Sequence, residues 1–407
     1  MIVRGLRVMR LSETRTVVVT GLGIVSPLGN NVDSFFRSLL GMGTHFEQIE
    51  FLKLGEQVKA SFFKKRSYYQ DQGFDVSRLA HDILVEAASE AIDSAGLDYQ
   101  DTMDYLLIGT TSGGNSNKEM LRDIFIDNLK EFPVQADILQ SWYSVSDYLA
   151  DRLNVKYGAR TLMSACSSGV HAIGYGKMLI QNKMASRVMV GGVDIIDYTT
   201  LLGFRSLGIN PKNEIRPFDK KRDGFYLGEG AAVIVLESLD LAIARKAPIL
   251  AQVSGFSAVA DGHGHITNPD KDSYVACMKG ALKDSGLAFA EIDYINAHGT
   301  ATQANDIAEA VAIKECFPNH GKIPVSSIKS STGHTLGAAG AIEALVCLKA
   351  IIDRVIPPNK NLSDPDEVCD GMILPIQPQQ LDLRNVLCNS FGFGGNNTSL
   401  VLSRFEG

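Results

Sequence analysis

Two stretches of the chain read alike: DSAGLDYQDTMDYLLIGTT at 93–111 and KDSGLAFAEIDYINAHGT at 283–300. Each runs from a helix end through Gly-Leu and a short loop to Asp-Tyr, an apolar strand and a small-residue turn. A looser pair follows in the same order, SACSSGVHAIG at 164–174 and SSIKSSTGHTLGAAG at 326–340. Both lead from a strand end through small residues into a helix. Two matched pairs in one order predict two similar halves, 1–250 and 251–407, meeting near 245–252 with a site between them.

Around these pairs, short β-branched runs alternate with Ala-rich helical stretches. The runs include TVVVT at 16–20, VMV at 188–190, AVIVL at 232–236 and SLVL at 399–402; the helical stretches span 79–95, 169–183, 273–285 and 337–353. Continuous apolar strands between helices predict an α/β fold with a sheet covered on both faces. No Pro/Ser-rich linker separates the halves, so they are expected to pack together.

The 407 residues carry 45% apolar and 21% charged side chains, an ordinary globular balance. The net charge of −7 argues against a nucleic-acid binder, which needs clustered Lys and Arg. One basic run, Lys64-Lys65-Arg66, suits either a solvated surface or an acidic partner. The six cysteines, Cys166, Cys277, Cys316, Cys347, Cys369 and Cys388, form no CxxC or CxxH pair. Their scatter argues against a structural metal site and suits a reducing cytoplasm. No apolar run approaches a membrane span, and the start of the chain reads as a first strand and loop rather than a signal peptide.

Several residues sit where chemistry could be done. Cys166 falls between the strand-like RTLM and a helix beginning near Ser168. A thiol at a helix N-terminus feels the positive pole of the macrodipole, which predicts a lowered pKa; a buried structural cysteine fits the same window. His298, in NAHGTATQAND, ends a short strand, with Thr300 and Thr302 on the same side of the extended segment. Lys329 and His334 lie in SSIKSSTGHTLGAAGAIEA, where Lys329 is expected to end a strand and to pair with Glu343 on the next helix. NSFGFGGNN at 389–397 reads as a Gly-rich loop between two strands, and Phe391 and Phe393 suit it to an acyl group rather than a phosphate. His265 and Thr267 are placed to line an entrance.

At this point a family resemblance becomes specific. SACSSG, NAHGTATQAND, KSSTGHTLGAAGAIEA and NSFGFGGNN resemble, in order and spacing, four hallmark segments of the β-ketoacyl-(acyl carrier protein) synthases of the synthase II type. VVVTGLGIVSPLG, RPFDKKRDGFYLGEGAA and IPPNKNL look like further family segments, so the resemblance runs from about residue 16 to 405. It implies a thiolase-like fold of two pseudo-symmetric halves in five αβαβα layers, a homodimer or a heterodimer with a related subunit, acyl carrier protein as partner, and no cofactor or metal beyond the carrier's phosphopantetheine.

The resemblance also implies roles. Cys166 would carry the acyl group, with the N–H groups of Cys166 and Phe391 as oxyanion hole. His298 and His334 would promote decarboxylation of a malonyl thioester. Lys329, with Glu343 and Asp306 in support, would tune the electrostatics. Thr300, Thr302 and Thr267 would meet the phosphopantetheine arm. Ser112 and Phe391 would gate the acyl pocket, and Lys64, Lys65 and Arg66 would dock the carrier.

The sequence departs from the family at Asn396, usually Thr, and at Ser112, usually Ile. A smaller polar gate changes pocket shape and points toward a specialised polyketide or aryl-polyene pathway rather than housekeeping elongation. Two other readings exist: a coenzyme-A-dependent thiolase, for which Cys388 would be the second cysteine, and a non-catalytic chain-length subunit, against which the retained Cys166, His298 and His334 argue.

Overall fold

A computed structural model describes residues 14–51, 56–63, 77–113, 143–209, 211, 214–262 and 265–407. The expected docking residues Lys64, Lys65 and Arg66 lie outside them.

Ten strands form one sheet. We label them β1 (Val17–Val25), β2 (Tyr105–Gly109), β3 (Ala159–Leu162), β4 (Arg187–Asp194), β5 (Gly230–Ser238), β6 (Ala251–Ala260), β7 (Tyr294–Asn296), β8 (Val325–Ser326), β9 (Asn385–Gly392) and β10 (Asn396–Ser403). The spatial order is β8-β7-β9-β10-β6-β1-β5-β4-β2-β3. Read outward from the centre, β1-β5-β4-β2-β3 and β6-β10-β9-β7-β8 follow one plan, each strand of the second set standing five places after its counterpart. The pairing directions repeat as well. β1·β5, β5·β4, β6·β10 and β10·β9 are antiparallel, and β4·β2, β2·β3, β9·β7 and β7·β8 are parallel. A short antiparallel contact, Val18 opposite Gln252 and Val19 opposite Ala251, joins the two sets.

The strands near the centre are apolar because both faces are covered. Every residue of β1, β4 and β5 is buried. The main helices are α1 (Ser77–Ser94), α2 (Ser168–Gln181), α3 (Lys271–Ser285), α4 (Gln303–Cys316) and α5 (Ala339–Asp353). On one outer face α1 packs on β1 and β5; on the other, α3 packs on β6 and β10 and against α4. Between the halves, α2 and α5 touch each other and strands of both sets. This gives the five αβαβα layers of the thiolase-like fold.

The central helices approach closely because each puts a glycine against the other helix. A Cβ on Gly169 would lie 2.5 Å from the Ala341 nitrogen, and one on Gly340 would lie 2.7 Å from a Val170 methyl. That contact holds the start of α2, from one half, against the start of α5, from the other.

Two local expectations differ. Lys329 does not end a strand: β8 stops at Ser326, and Lys329 opens a short helix, Lys329–Thr332. The Gly-rich segment is also mostly strand. β9 continues through Gly392 in register with β10, which leaves a turn at 393–395 with Gly394 and Gly395 at φ of +79° and +80°. Only glycine adopts both without strain.

Candidate active site

The candidate residues gather at the C-terminal ends of the strands. Cys166 follows β3, and Lys329 and His334 follow β8, its counterpart in the other half. His298 follows β7, and the turn Thr110-Thr111-Ser112 follows β2, again its counterpart. In open α/β sheets that edge is where crevices form.

Cys166 stands on a sharp elbow. Ala165 is held at φ +53°, a strained value for a residue with a side chain. The elbow is braced on all sides. Ser168 Oγ accepts from the Ser164 N–H at 2.9 Å and donates to the Ala165 carbonyl at 2.6 Å. Ser164 Oγ meets His171 Nδ1 at 2.9 Å, and Ser390 Oγ donates to the Cys166 carbonyl at 3.0 Å. Helix α2 starts two residues on.

The pKa differs from expectation. Burial pushes the Cys166 thiol up to about 11, outweighing the Lys329 charge and a backbone hydrogen bond from Phe393, which act the other way. The helix pole does not suffice, because the thiol is largely desolvated at the base of the site; burial favours the thiol over the thiolate.

The two histidines are fixed by their Nδ1 atoms. Nδ1 of His298 faces Nζ of Lys329 at 3.2 Å. An ammonium only donates, so this nitrogen accepts and Nε2 carries the proton. Nδ1 of His334 accepts from the Leu336 N–H at 3.1 Å, which gives the same tautomer. Burial and the Lys329 charge hold both rings well below the usual histidine pKa, hence neutral. The rings stand edge to face, centroids 5.5 Å apart. One nitrogen of each and the Cys166 sulfur lie within 4.8 Å of one another.

By residue type this trio could ligate a transition metal. The Lys329 ammonium beside His298 opposes a cation there, and no carboxylate among the described residues joins the cluster.

Lys329 is buried and paired with Glu343, whose carboxyl burial raises while Lys329 pulls it back. Lys329 also donates to the His298 carbonyl.

Further carboxylates hold the turns. Asp306 accepts from the Phe218 and Ala301 N–H groups at 2.8 and 3.2 Å, with Arg222 at 3.7 Å. It thereby ties the RPFDKKR segment to the His298 turn. Glu309, which sequence reading missed, accepts from the backbone N–H groups of His298 and Gly299 at 2.9 and 2.8 Å. Asp306 and Glu309 are three apart on one face of α4 among alanines, a spacing that could have signalled it.

Asp194 was also missed. It ends β4 and accepts from Thr111 and Ser112 N–H, both hydroxyls of Thr110 and Ser112, and Gly337 N–H at 2.6 to 3.0 Å. Burial still raises it to about 6. Ser112 commits both its N–H and its hydroxyl to Asp194, at 3.0 and 2.9 Å.

The cleft itself is narrow, and Thr267, Thr300, Thr302, Phe225, Tyr274 and Phe391 line it beside Cys166 and both histidines. Thr300 and Thr302 share a hydrogen bond at 2.8 Å. His265 does not line it. Phe391 contributes its ring, but its backbone lies within β9 opposite Asn397. The backbone group that reaches the Cys166 sulfur belongs to Phe393, in the turn beyond the ladder. The expected oxyanion donor therefore moves from Phe391 to Phe393. Cys388 is turned away, hydrogen-bonded to Cys347 of α5 in the core.

This architecture is that of the thiolase-like acyltransferases. Residues 14–242 match the family model described as beta-ketoacyl synthase, N-terminal domain, and residues 250–363 match beta-ketoacyl synthase, C-terminal domain. The 3-oxoacyl-[acyl-carrier-protein] synthase 2 of Coxiella burnetii is 36% identical over 420 residues, covering 96% of this chain and 99% of its own. Among solved structures, the ishigamide ketosynthase/chain length factor superposes with a TM-score of 0.88 at 30% identity, covering 96% of this chain and 100% of that one. A type II PKS acyl-carrier protein in complex with its ketosynthase, AntDE:AntF, gives 0.87 at 26% identity, with the same coverage. The chain belongs to the beta-ketoacyl synthase family and is an acyltransferase.

Proposed function

We propose that the protein joins an acyl group, carried on Cys166, to a malonyl unit on acyl carrier protein by decarboxylative Claisen condensation. The observation that carries this reading is the shared tautomer of His298 and His334: two neutral imidazoles beside the Cys166 sulfur, each with Nδ1 occupied, which leaves Nε2–H as the donor each can offer a substrate.

In the first step the Cys166 thiol exchanges with an acyl thioester. The sulfur bonds the acyl carbon, the carrier's thiol leaves, and the Cys166 proton passes to it, so no net base is needed. Cys166 and Phe393 N–H groups would hold the tetrahedral oxyanion. Gly392 suits this, since a Cβ there would crowd the Cys166 nitrogen at 3.3 Å.

In the second step the malonyl thioester places its carbonyl oxygen on the two Nε2–H groups. Loss of carbon dioxide leaves an enolate whose charge those donors stabilise in a dry site. The enolate carbon attacks the acyl-cysteine, the thiolate leaves, and one proton from solvent restores the thiol. The electron sink is the thioester carbonyl itself, whose developing oxyanion the two imidazole N–H groups stabilise, which supports a reaction needing no cofactor beyond phosphopantetheine. Thr300, Thr302 and Thr267 would contact that arm.

Carrier protein would dock near the cleft mouth, and the basic run Lys64-Lys65-Arg66 would suit an acidic carrier by its charge. A second, identical chain would cover β3, the sheet's outer edge, where Met163, Tyr175 and Met178 are exposed; an open edge invites pairing. The six unpaired cysteines fit a cytoplasmic setting. Cys388, committed to Cys347, favours this chemistry over a two-cysteine thiolase.

The test is incubation with acyl- and malonyl-carrier proteins, with products followed by mass spectrometry. A β-ketoacyl-carrier product two carbons longer supports the reading; none, across chain lengths, overturns it.

A further inference from the structure

Tyr274, on α3, is a large side chain in the cleft that the proposed chemistry does not use. Its ring lies flat on Phe391, centroids 3.6 Å apart and planes within 15°. Its hydroxyl donates to Oδ1 of Asn305 at 3.1 Å. Asn305 in turn donates to Asp306 at 3.1 Å and Glu309 at 3.4 Å, the carboxylates that fix the His298 turn. Phe391 also meets the His298 ring, centroids 6.1 Å apart and planes at 64°. Phe391 is therefore in ring contact with both a catalytic histidine and a tethered phenol. A lone phenyl ring could turn aside; this one cannot without losing a stack.

Where that contact sits matters for the extender unit, given the condensation proposed above. The enolate carbon must lie between the Cys166 sulfur and the two imidazoles. Aromatic residues lining the cleft are Phe225, Phe391, Phe393 and Tyr274 itself; Phe393 leans on Phe204, ring centroids 5.8 Å apart. Phe225 is set by His334 itself, ring to ring at 4.7 Å. Phe391 is the wall that could yield, and Tyr274 decides whether it does.

We propose that Tyr274 is a specificity-determining positioning residue: by backing Phe391 it closes the side of the cleft that an α-substituent would occupy, so that unsubstituted malonyl thioesters are used and α-methylmalonyl thioesters are rejected. A single methyl group rejected by a packed wall is worth about 10 to 200-fold in discrimination.

The test is competition of malonyl- and methylmalonyl-carrier protein for the acylated full-length enzyme, with products resolved by one methylene in mass. Each variant is normalised to its acyl-Cys166 content by intact mass. The wild type should favour malonyl by roughly 10 to 200-fold. Tyr274→Ala should cut that ratio at least ~10-fold, and Tyr274→Phe, which keeps the stack but loses the tether, should cut it less. Tyr274→Leu carries the comparison if the alanine variant does not fold. Equal use of both extenders by the wild type, or an unchanged ratio in the variants, overturns the assignment. No product from the wild type with either extender sinks the condensation reading, and this inference with it.

Discussion

Nζ of Lys329 stands 3.2 Å from Nδ1 of His298, and an ammonium, lacking a lone pair, can only donate across that gap. The contact makes the imidazole a donor on its other side, where the cysteine lies. The ammonium is itself held by Glu343 in the interior.

Removing Lys329 should therefore cost stability and activity by separate routes. Lys329→Ala strands the Glu343 carboxyl and should lose about 3–5 kcal/mol of unfolding free energy. The double variant Lys329→Met/Glu343→Leu replaces the pair with apolar groups and should recover most of that. Condensation should stay roughly 10²–10⁴-fold down, because nothing then fixes the His298 tautomer. Denaturant unfolding and product formation report the two effects; a double variant condensing at the wild-type rate would refute the tautomer role.

The histidines are expected to act after acylation. His298→Ala and His334→Ala should each still form acyl-Cys166, while release of labelled carbon dioxide from malonyl-carrier protein falls about 10²–10³-fold. Equal losses in acylation and decarboxylation would show that the rings shape the site rather than stabilise the enolate.

The motif residues were legible because each lies shortly after a strand in a segment rich in small residues, a pattern that depends on local sequence alone. The repeated halves were legible for the same reason. What stayed hidden depends on burial decided by distant segments. Asp194 went unnoticed, since nothing local says that Gly337 will bring an N–H group to it, and for Glu309 the only local hint is its spacing from Asp306. Nothing near Ser112 in sequence announces that its hydroxyl is held by Asp194, 82 residues away. Phe391 and Phe393 were told apart only by where the β9 ladder stops. The helix pole predicted a reactive thiolate at Cys166, but desolvation, a sum over the whole fold, exceeds it.

That balance gives a pH prediction. With the thiol raised to about 11, its thiolate fraction, and so its alkylation by iodoacetamide, should climb ~10-fold per pH unit from about 7 to 10 without levelling. The rise is upward with pH because only the deprotonated form reacts. A plateau already reached near pH 7 would mean that the helix pole and Lys329 prevail over burial.

Gly392 offers a test of the oxyanion site. A Cβ there would lie 2.9 Å from the Ser164 carbonyl, 3.0 Å from that of Asn396 and 3.3 Å from the Cys166 nitrogen, all backbone atoms. Gly392→Ala should lower the rate of Cys166 acylation about 10²-fold or more and destabilise by roughly 1–3 kcal/mol. Stopped-flow acylation at wild-type speed would place the oxyanion elsewhere.

The most direct test of the account follows one sulfur atom. The protein is loaded from an acyl-carrier protein, its mass and the peptide bearing Cys166 are measured, and malonyl-carrier protein is then added. The account predicts one acyl group on Cys166, none in Cys166→Ala, and its loss on adding malonyl-carrier protein in step with one carbon dioxide and one β-ketoacyl product per site. An acyl group that never forms on Cys166, or one that malonyl-carrier protein leaves in place, would contradict it.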